Sequence, residues 1–205
     1  MGLRSALFAA QYDAATRHGE PEELASRRAA LLSGVGGVVY DVGAGTGANL
    51  RHFPPSCQVT AAEPDPNMRK RLLARLGPAG NVRVVDAGAE ALPAGDASVD
   101  AVVFTLVLCT VPDQAAALAE AKRVLKPDGK LLFLEHVRGT GGHARFQDIL
   151  RPVWSFAAQG CQLNRDTIAT ISAAGYTVTV QDEFALGPAW LPMNPMVMGT
   201  ATPGG

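Results

Sequence analysis

The chain has 205 residues, of which 47% are hydrophobic and 18% charged, and its net charge is −1. That describes one globular domain with a full core, outside the disordered class, with no basic footprint for nucleic acid. The longest apolar stretch, Ala101 to Val111, is too short to span a bilayer and is interrupted by Thr105 and Thr110. No signal-peptide core or myristoylation signal opens the chain, so a cytoplasmic protein without a stable membrane anchor is expected.

Residues 1–34 read as a helical cap with a break near Gly19-Glu20-Pro21. Pro21-Glu22-Glu23 supplies a proline at the first helical position and an acidic first turn, and Ser33-Gly34 ends that helix. The first strand is 38–42. After a Gly-rich turn comes a short helix over Ala48–His52, stopped by Pro54-Pro55. The second strand is 58–63, and Pro66 opens a basic helix to Leu76 with Met68, Leu72, Leu73 and Leu76 as its apolar stripe. The third strand is 81–85. The fourth, 99–107, is apolar past Asp100 except at Thr105, as a parallel strand covered on both faces should be.

Asp113 is placed to cap a helix that turns Ala117, Leu118, Ala121, Val124 and Leu125 inward. Lys126-Pro127-Asp128-Gly129 reads as a turn, and the fifth strand, 130–134, ends at Glu135-His136. Helices over 144–158 and 165–174 and strands over 176–182 and 197–201 complete the chain. Such β-α alternation with a terminal strand pair predicts a doubly wound α/β sheet, and no linker marks a second domain.

The most informative stretch is Asp41-Val42-Gly43-Ala44-Gly45-Thr46-Gly47-Ala48-Asn49. A strand that breaks into glycines and then a helix brings bare N–H groups and a helix N-terminus against a ligand. Sixteen residues past Gly47 the second strand ends in Glu63, where an acid grips a ribose diol in nucleotide-binding α/β folds. Gly43-x-Gly45-x-x-Ala48 satisfies the dinucleotide fingerprint. Gly43-x-Gly45-x-Gly47 after Asp41 satisfies the S-adenosylmethionine (SAM) loop. The loop alone leaves both open, although 205 residues leave little room for the substrate domain of a nicotinamide dehydrogenase.

Cys57, Cys109 and Cys161 form no close pair and no C-x-x-C, which argues against a zinc site or a disulfide framework. They are expected to pack as small reduced hydrophobes, and no metal is expected. Cys57 precedes the second strand and Cys109 follows the fourth, which puts them at opposite sheet edges, roughly 17–20 Å apart. They cannot share one arsenic.

Val-Gly-Ala-Gly-Thr-Gly at 42–47, Leu-Lys-Pro-Asp-Gly at 125–129 and the closing strand pair resemble class I SAM-dependent methyltransferases. Further segments resemble the methyltransferase-like thiol S-methyltransferases, which methylate small alkyl thiols and hydrogen sulfide. These are Gly-Thr-Gly-Ala-Asn (45–49), Thr-Leu-Val-Leu-Cys-Thr-Val (105–111), Leu-Glu-His-Val (134–137), Gly-Cys-Gln-Leu-Asn-Arg (160–165) and Trp-Leu-Pro-Met (190–193). The resemblance implies a seven-stranded sheet of order 3-2-1-4-5-7-6 with an antiparallel last strand, and residues 140–174 as a helical insertion on the acceptor side. Animal members of that family carry an N-terminal hydrophobic anchor; its absence here implies a soluble relative.

The resemblance also implies that Gly43, Gly45 and Gly47 wrap the methionine moiety of SAM, with Asp41, Ala44 and Asn49 in the same loop. Glu63 would hold the ribose, followed by Pro64. Ala87-Gly88-Ala89-Glu90 would line the adenine; many relatives place an Asp where Gly88 sits, so backbone groups would serve here. Thr105 and Leu106 would border the methionine end, and Tyr12-Asp13 would close over the cofactor.

Methyl transfer from a sulfonium asks the protein for positioning, exclusion of water and an electron pair on the acceptor. Candidates above the carboxyl ends of the strands are Cys109, His136, Cys161 and Arg165. His136 fits a base for a thiol and Cys109 a wall of the acceptor pocket; a hydrogen-bonded structural histidine is the plain alternative. Trp154, Phe156, Trp190 and Met193 are expected in the core or the pocket wall. The expected activity is SAM-dependent methylation of a small-molecule thiol, yielding S-adenosylhomocysteine. C- or O-methylation of a quinone-like acceptor and an inactive SAM-binding subunit are the alternatives.

Overall fold

A computed structural model of the chain describes residues 3–18, 20–76 and 80–204; Gly19, part of the expected break, lies outside them. Helices α1 (Leu3–His18) and α2 (Glu22–Leu32) precede strands β1 (Val38–Val42) and β2 (Gln58–Ala62). Helix α3 (Pro66–Arg75), strands β3 (Val82–Val85) and β4 (Val99–Thr105), helix α4 (Gln114–Val124) and strand β5 (Leu125–His136) follow. Helices α5 (Gly141–Ala157) and α6 (Thr167–Ala173) lead to β6 (Tyr176–Phe184) and β7 (Met196–Pro203). All seven strands join one sheet in the order β3-β2-β1-β4-β5-β7-β6. The first five pair in parallel, and β7 runs antiparallel to both β5 and β6. This is the predicted fold class and strand order.

Strand alternation divides the core into two layers. Val39, Ala101, Val103, Leu132 and Leu134 pack under Leu24, Leu31 and Leu32 of α2. Tyr40, Val102, Phe104, Leu131 and Phe133 pack under Leu118 and Ala121 of α4 and Ile171 of α6. A fully buried aromatic such as Phe104 or Phe133 contributes about 1.5–3 kcal/mol by leaving water, so this double cover is what makes the central strands read as continuous apolar runs. Helix starts are set by side chains: Asp65 accepts from the Asn67 and Met68 N–H groups, Asp113 from Ala116 and Asp166 from Ala169.

Several boundaries differ from expectation. Strand β4 stops at Thr105, two residues early, because Leu106 takes a left-handed φ of 60°. Its N–H still reaches the Leu134 carbonyl at 2.8 Å. The expected turn at 126–129 lies within the span of β5, where the partners jump from Val99–Leu125 to Ala101–Lys130; four residues bulge out between them. The short helix expected at 48–52 is a 3₁₀ turn at Leu50–His52, and Pro21 stands at the N-cap of α2 instead of its first turn. Phe156 and Trp190, expected inside, are 68% and 67% exposed. Among the described residues no helix is long and apolar enough to cross a membrane.

Candidate functional site

Parallel pairing from β2 through β5 puts their carboxyl ends on one edge of the sheet, where ligands bind in open α/β folds. A cavity of about 330 Å³ opens there. Its lining includes Tyr12, Gly43, Gly45, Glu63, Pro64, Gly88, Ala89, Glu90, Thr105 and Leu106, all expected to touch the cofactor. Asp41, Ala44, Gly47 and Asn49, also expected there, do not line it. A larger cleft of about 550 Å³ beside Arg51, Arg75 and Asn81 shares only Gly47 with the expected set, so the smaller cavity is the functional candidate.

The glycines divide by role. At Gly43, φ is +64° and a Cβ would stand 2.7 Å from the Val107 side chain, so this residue lets two loops of the protein touch. Gly45, at φ +58°, opens toward the cavity, where a Cβ would first meet the Tyr12 ring at 3.4 Å. Its N–H donates to Glu63 Oε2 at 2.8 Å, and Asp65 N–H donates to Oε1 at 2.8 Å. Both carboxylate oxygens are thereby oriented, with lone pairs left for a ligand. Burial nevertheless pushes the Glu63 carboxyl up, against those two bonds.

Asp41 and Asn49 support the loop from beneath. Asn49 Nδ2 donates to Asp41 Oδ1 at 2.6 Å and to Thr105 Oγ1 at 2.9 Å. Arg28 of α2, only 2% exposed, donates to Asn49 Oδ1 and Thr105 Oγ1 and pairs with Glu20 at 3.0 Å. Burial pushes Asp41 up to about 7 despite Asn49 and Arg28, and its Oδ2 has no hydrogen-bond partner. Sequence reasoning missed Arg28's part. An arginine at i+4 from Leu24 and i−3 from Leu31, on the buried stripe of α2, was the available signal.

Helix α1 forms the near wall with Ser5, Phe8 and Tyr12, which share one helical face. Phe8 and Tyr12 stack at 6.0 Å, and Asp13 ties the helix to α3 through Arg75 at 2.6 Å and Arg71 at 3.2 Å. The far wall is Thr110, Val111, Pro112, Ala158 and Gln159, which sequence reasoning did not single out. Gln159 has a left-handed φ of 53° and a buried Nε2 without a hydrogen-bond partner.

Cys109 and His136, expected to do chemistry, do not line the cavity. Cys109 lies one side chain behind it, its Sγ 3.4 Å from Oγ1 of Thr110, which does line it. His136 Nε2 is 3.0 Å from Cys161 Sγ, and its Nδ1 is buried without a partner. The neighbouring Cys109 and burial push the Cys161 thiol up, so it stays protonated at neutral pH. Two of the three cysteines therefore meet across 52 residues of sequence, where spacing alone predicted three separate packed thiols. Cys57 stays apart in the other core layer, with Sγ at 3.3 Å from the Val35 carbonyl.

Glu135 holds the loop that carries Cys109. It is fully buried on β5, and its Oε1 accepts from Val107 N–H at 2.8 Å and Leu108 N–H at 2.9 Å. Arg165 closes the same loop from the other side through the Leu108 and Val111 carbonyls.

Residues 40–133 match the family described as a methyltransferase domain. A rat thiol S-methyltransferase, TMT1B, is 39% identical over 170 residues, covering 80% of this chain and 69% of that protein. Human thiol S-methyltransferase TMT1A is 34% identical over 194 residues, covering 88% and 80%. In fold, the chain superposes with a TM-score of 0.72 and 22% identity on a Thermotoga maritima SAM-dependent methyltransferase described as a possible histamine N-methyltransferase, covering 98% and 99% of the two chains. Sheet order, glycine loop, oriented acid and relatives agree: the chain belongs to the SAM-dependent methyltransferases, in the family of the thiol S-methyltransferases.

Proposed function

We propose that this enzyme methylates a small thiol at sulfur. The observation that carries the reading is the far wall of the cavity: Thr110, Val111, Pro112, Ala158 and Gln159 include no titratable side chain. An acceptor seated against these five side chains meets no base among them, although Glu90, also in the lining, accepts from the Asp113 N–H beside Pro112 at 3.4 Å. A thiol, with a reference pKa near 8.5, presents some anion at neutral pH, whereas a phenol near 10 presents far less. The names of the relatives, thiol S-methyltransferases on both counts, support the same acceptor class.

The residues that would hold SAM fit its chemistry. Glu63, oriented by Gly45 and Asp65, offers acceptor lone pairs to ribose hydroxyls. Gly88, Ala89 and Glu90 edge the adenine end, and Gly45, Thr105 and Leu106 the methionine end. Phe8 and Tyr12 cover the cavity and exclude water, which strengthens every electrostatic contact inside. Bound SAM supplies a methyl group activated on a sulfonium. What the chain adds is alignment: Thr110 and Gln159 are the polar side chains available to orient the acceptor along the line of displacement.

The test is release of S-adenosylhomocysteine across small thiols, phenols, quinols and amines. Turnover should be confined to thiols or strongly favour them. Turnover on phenols or quinols with none on thiols would overturn the reading. No turnover on any acceptor, with SAM bound, would reduce the chain to a binding subunit.

A further inference from the structure

Cys109, His136 and Cys161 take no part in the cofactor contacts, yet one donor atom from each lies within 4.8 Å of the other two. They arrive from three places: the loop after β4, the end of β5 and the segment after α5. They are 1%, 7% and 7% exposed. Packing alone does not account for this gathering. Thiols are weak hydrogen-bond partners, and the His136 ring is satisfied only through sulfur, its Nδ1 being buried without a partner. Trp154 Nε1 donates to Cys161 Sγ at 3.3 Å, so this sulfur already serves as an acceptor.

The donor set selects the ligand. Two sulfurs and an imidazole nitrogen suit zinc and other borderline or soft cations, whereas magnesium and calcium demand oxygen. Zinc bonds of about 2.3 Å to sulfur and about 2.0 Å to nitrogen put tetrahedral donors about 3.5–3.8 Å apart. The cluster needs only side-chain adjustment to reach that. Oxygen from Glu135 is not among the donors gathered within 4.8 Å: its Oε1 accepts from two backbone N–H groups, while its Oε2 has no hydrogen-bond partner.

We propose that Cys109, His136 and Cys161 bind one zinc ion, and that its fourth coordination position takes the sulfur of the acceptor thiol. Two thiolates balance the dication, which removes the cost of burying net charge. Zinc sites that act on a ligand keep three protein ligands and an open position, while structural sites close with four. Thr110 lines the acceptor end of the cavity, and its Oγ1 is 3.4 Å from Cys109 Sγ of the cluster.

The protons balance without any redox change. Zinc entry displaces one proton from each cysteine to solvent. Coordination of the acceptor R–SH releases a third and leaves its sulfur as a thiolate at neutral pH. This would explain why the far wall carries no base. The acceptor half of the proposal rests on the thiol reading above; the zinc half does not.

The experiment uses the full chain, stripped with chelator and titrated with Zn²⁺ and, separately, with Co²⁺. One ion should bind per chain, with thiolate-to-cobalt charge-transfer absorption. Cys109→Ser and Cys161→Ser should each weaken binding by more than about 100-fold, since loss of a mere outer-shell partner already costs 10–100-fold. Cys57→Ser should bind as the wild type does. If a cysteine variant loses its folded circular dichroism, His136→Gln is judged on the same readout. Absence of the charge-transfer band in the wild type, or equal loss in Cys57→Ser, would overturn the zinc site. Adding 2-mercaptoethanol to the cobalt-loaded chain, without SAM, should shift the cobalt bands. An unshifted spectrum would overturn the acceptor role. Failure of the thiol reading itself would look different: an intact cobalt band, with turnover on phenols or quinols and none on thiols.

Discussion

The two ends of the cavity are built differently. The end proposed to hold the cofactor is lined by short loops at the tips of adjacent strands, each contributing within a few residues: Gly43 and Gly45 after β1, Glu63 and Pro64 after β2, Gly88 to Glu90 past β3. The end proposed for the acceptor draws on the loop after β4 and the segment after α5, fastened by Glu135 of β5 and by Arg165 across 27 to 57 positions of sequence. The first is a local device hung on a regular sheet. The second exists only when distant segments have docked, so it should respond to mutation through its fasteners as much as through its contacts.

The largest effect is expected where the two ends touch. Gly43→Val demands positive φ of a β-branched residue and drives its Cβ into Val107, so it should cost more than about 4 kcal/mol and abolish SAM binding. Denaturant unfolding checks it. A stable variant would mean that the β1 and β4 loops are not locked together as described.

Asp41 gives the next largest effect, and its sign is fixed by burial. The carboxyl rises from 3.8 to about 7 in the folded chain. Between those values the folded protein holds a proton that the unfolded chain releases, so stability falls as pH rises through the window and is level above it. The upper limit is about 4 kcal/mol at 1.36 kcal/mol per unit. Asp41→Asn, neutral throughout, should flatten the slope between about pH 4 and about pH 7 in urea unfolding. An unchanged slope would assign it to other groups.

A contrast of fastener with contact comes from the two acids. Glu63→Ala should weaken SAM by about 1.5–3 kcal/mol, roughly 10- to 150-fold, by removing an ionised hydrogen-bond partner. Calorimetry measures it, and unchanged affinity would refute the ribose role. Glu135→Ala leaves the buried N–H groups of Val107 and Leu108 without their acceptor and should cost about 1–3 kcal/mol of stability. If instead the loss appears only in turnover, Glu135 is acting on the reaction and not on the loop.

This contrast also explains what could be read from the sequence. The strand–helix alternation, the glycine loop and Glu63 were legible because period, turn chemistry and a fixed offset are local signals, whereas the strand order came from the family resemblance. Asp41 and Asn49 were read as cofactor contacts because they share that loop; in the structure Asn49 donates to Asp41 and Thr105 and accepts from Arg28, and neither residue lines the cavity. Nothing local marks Thr110 or Gln159, or announces that Cys109 and Cys161 meet at His136. Those contacts follow from how the segment after α5 docks on the β4 loop through Arg165 and the Gln162 N–H, which reaches the Cys109 carbonyl at 2.8 Å.

The smallest effect is the sharpest test of separability. Thr110 lines the acceptor end, and its hydroxyl approaches Cys109 Sγ at 3.4 Å, a contact too long and too soft to stabilise the fold by much. Thr110→Val keeps the shape and removes the hydroxyl. If that hydroxyl orients the acceptor, its loss costs about 0.5–1.5 kcal/mol, which is roughly a twofold to tenfold rise in acceptor KM for a turned-over thiol. SAM affinity by calorimetry should stay within error, because none of the residues proposed to hold ribose or adenine touches this side chain through a hydrogen bond among the described residues. A parallel fall in SAM affinity would show that the cavity behaves as one unit, and that the division into a local cofactor end and a docked acceptor end is only a division of sequence.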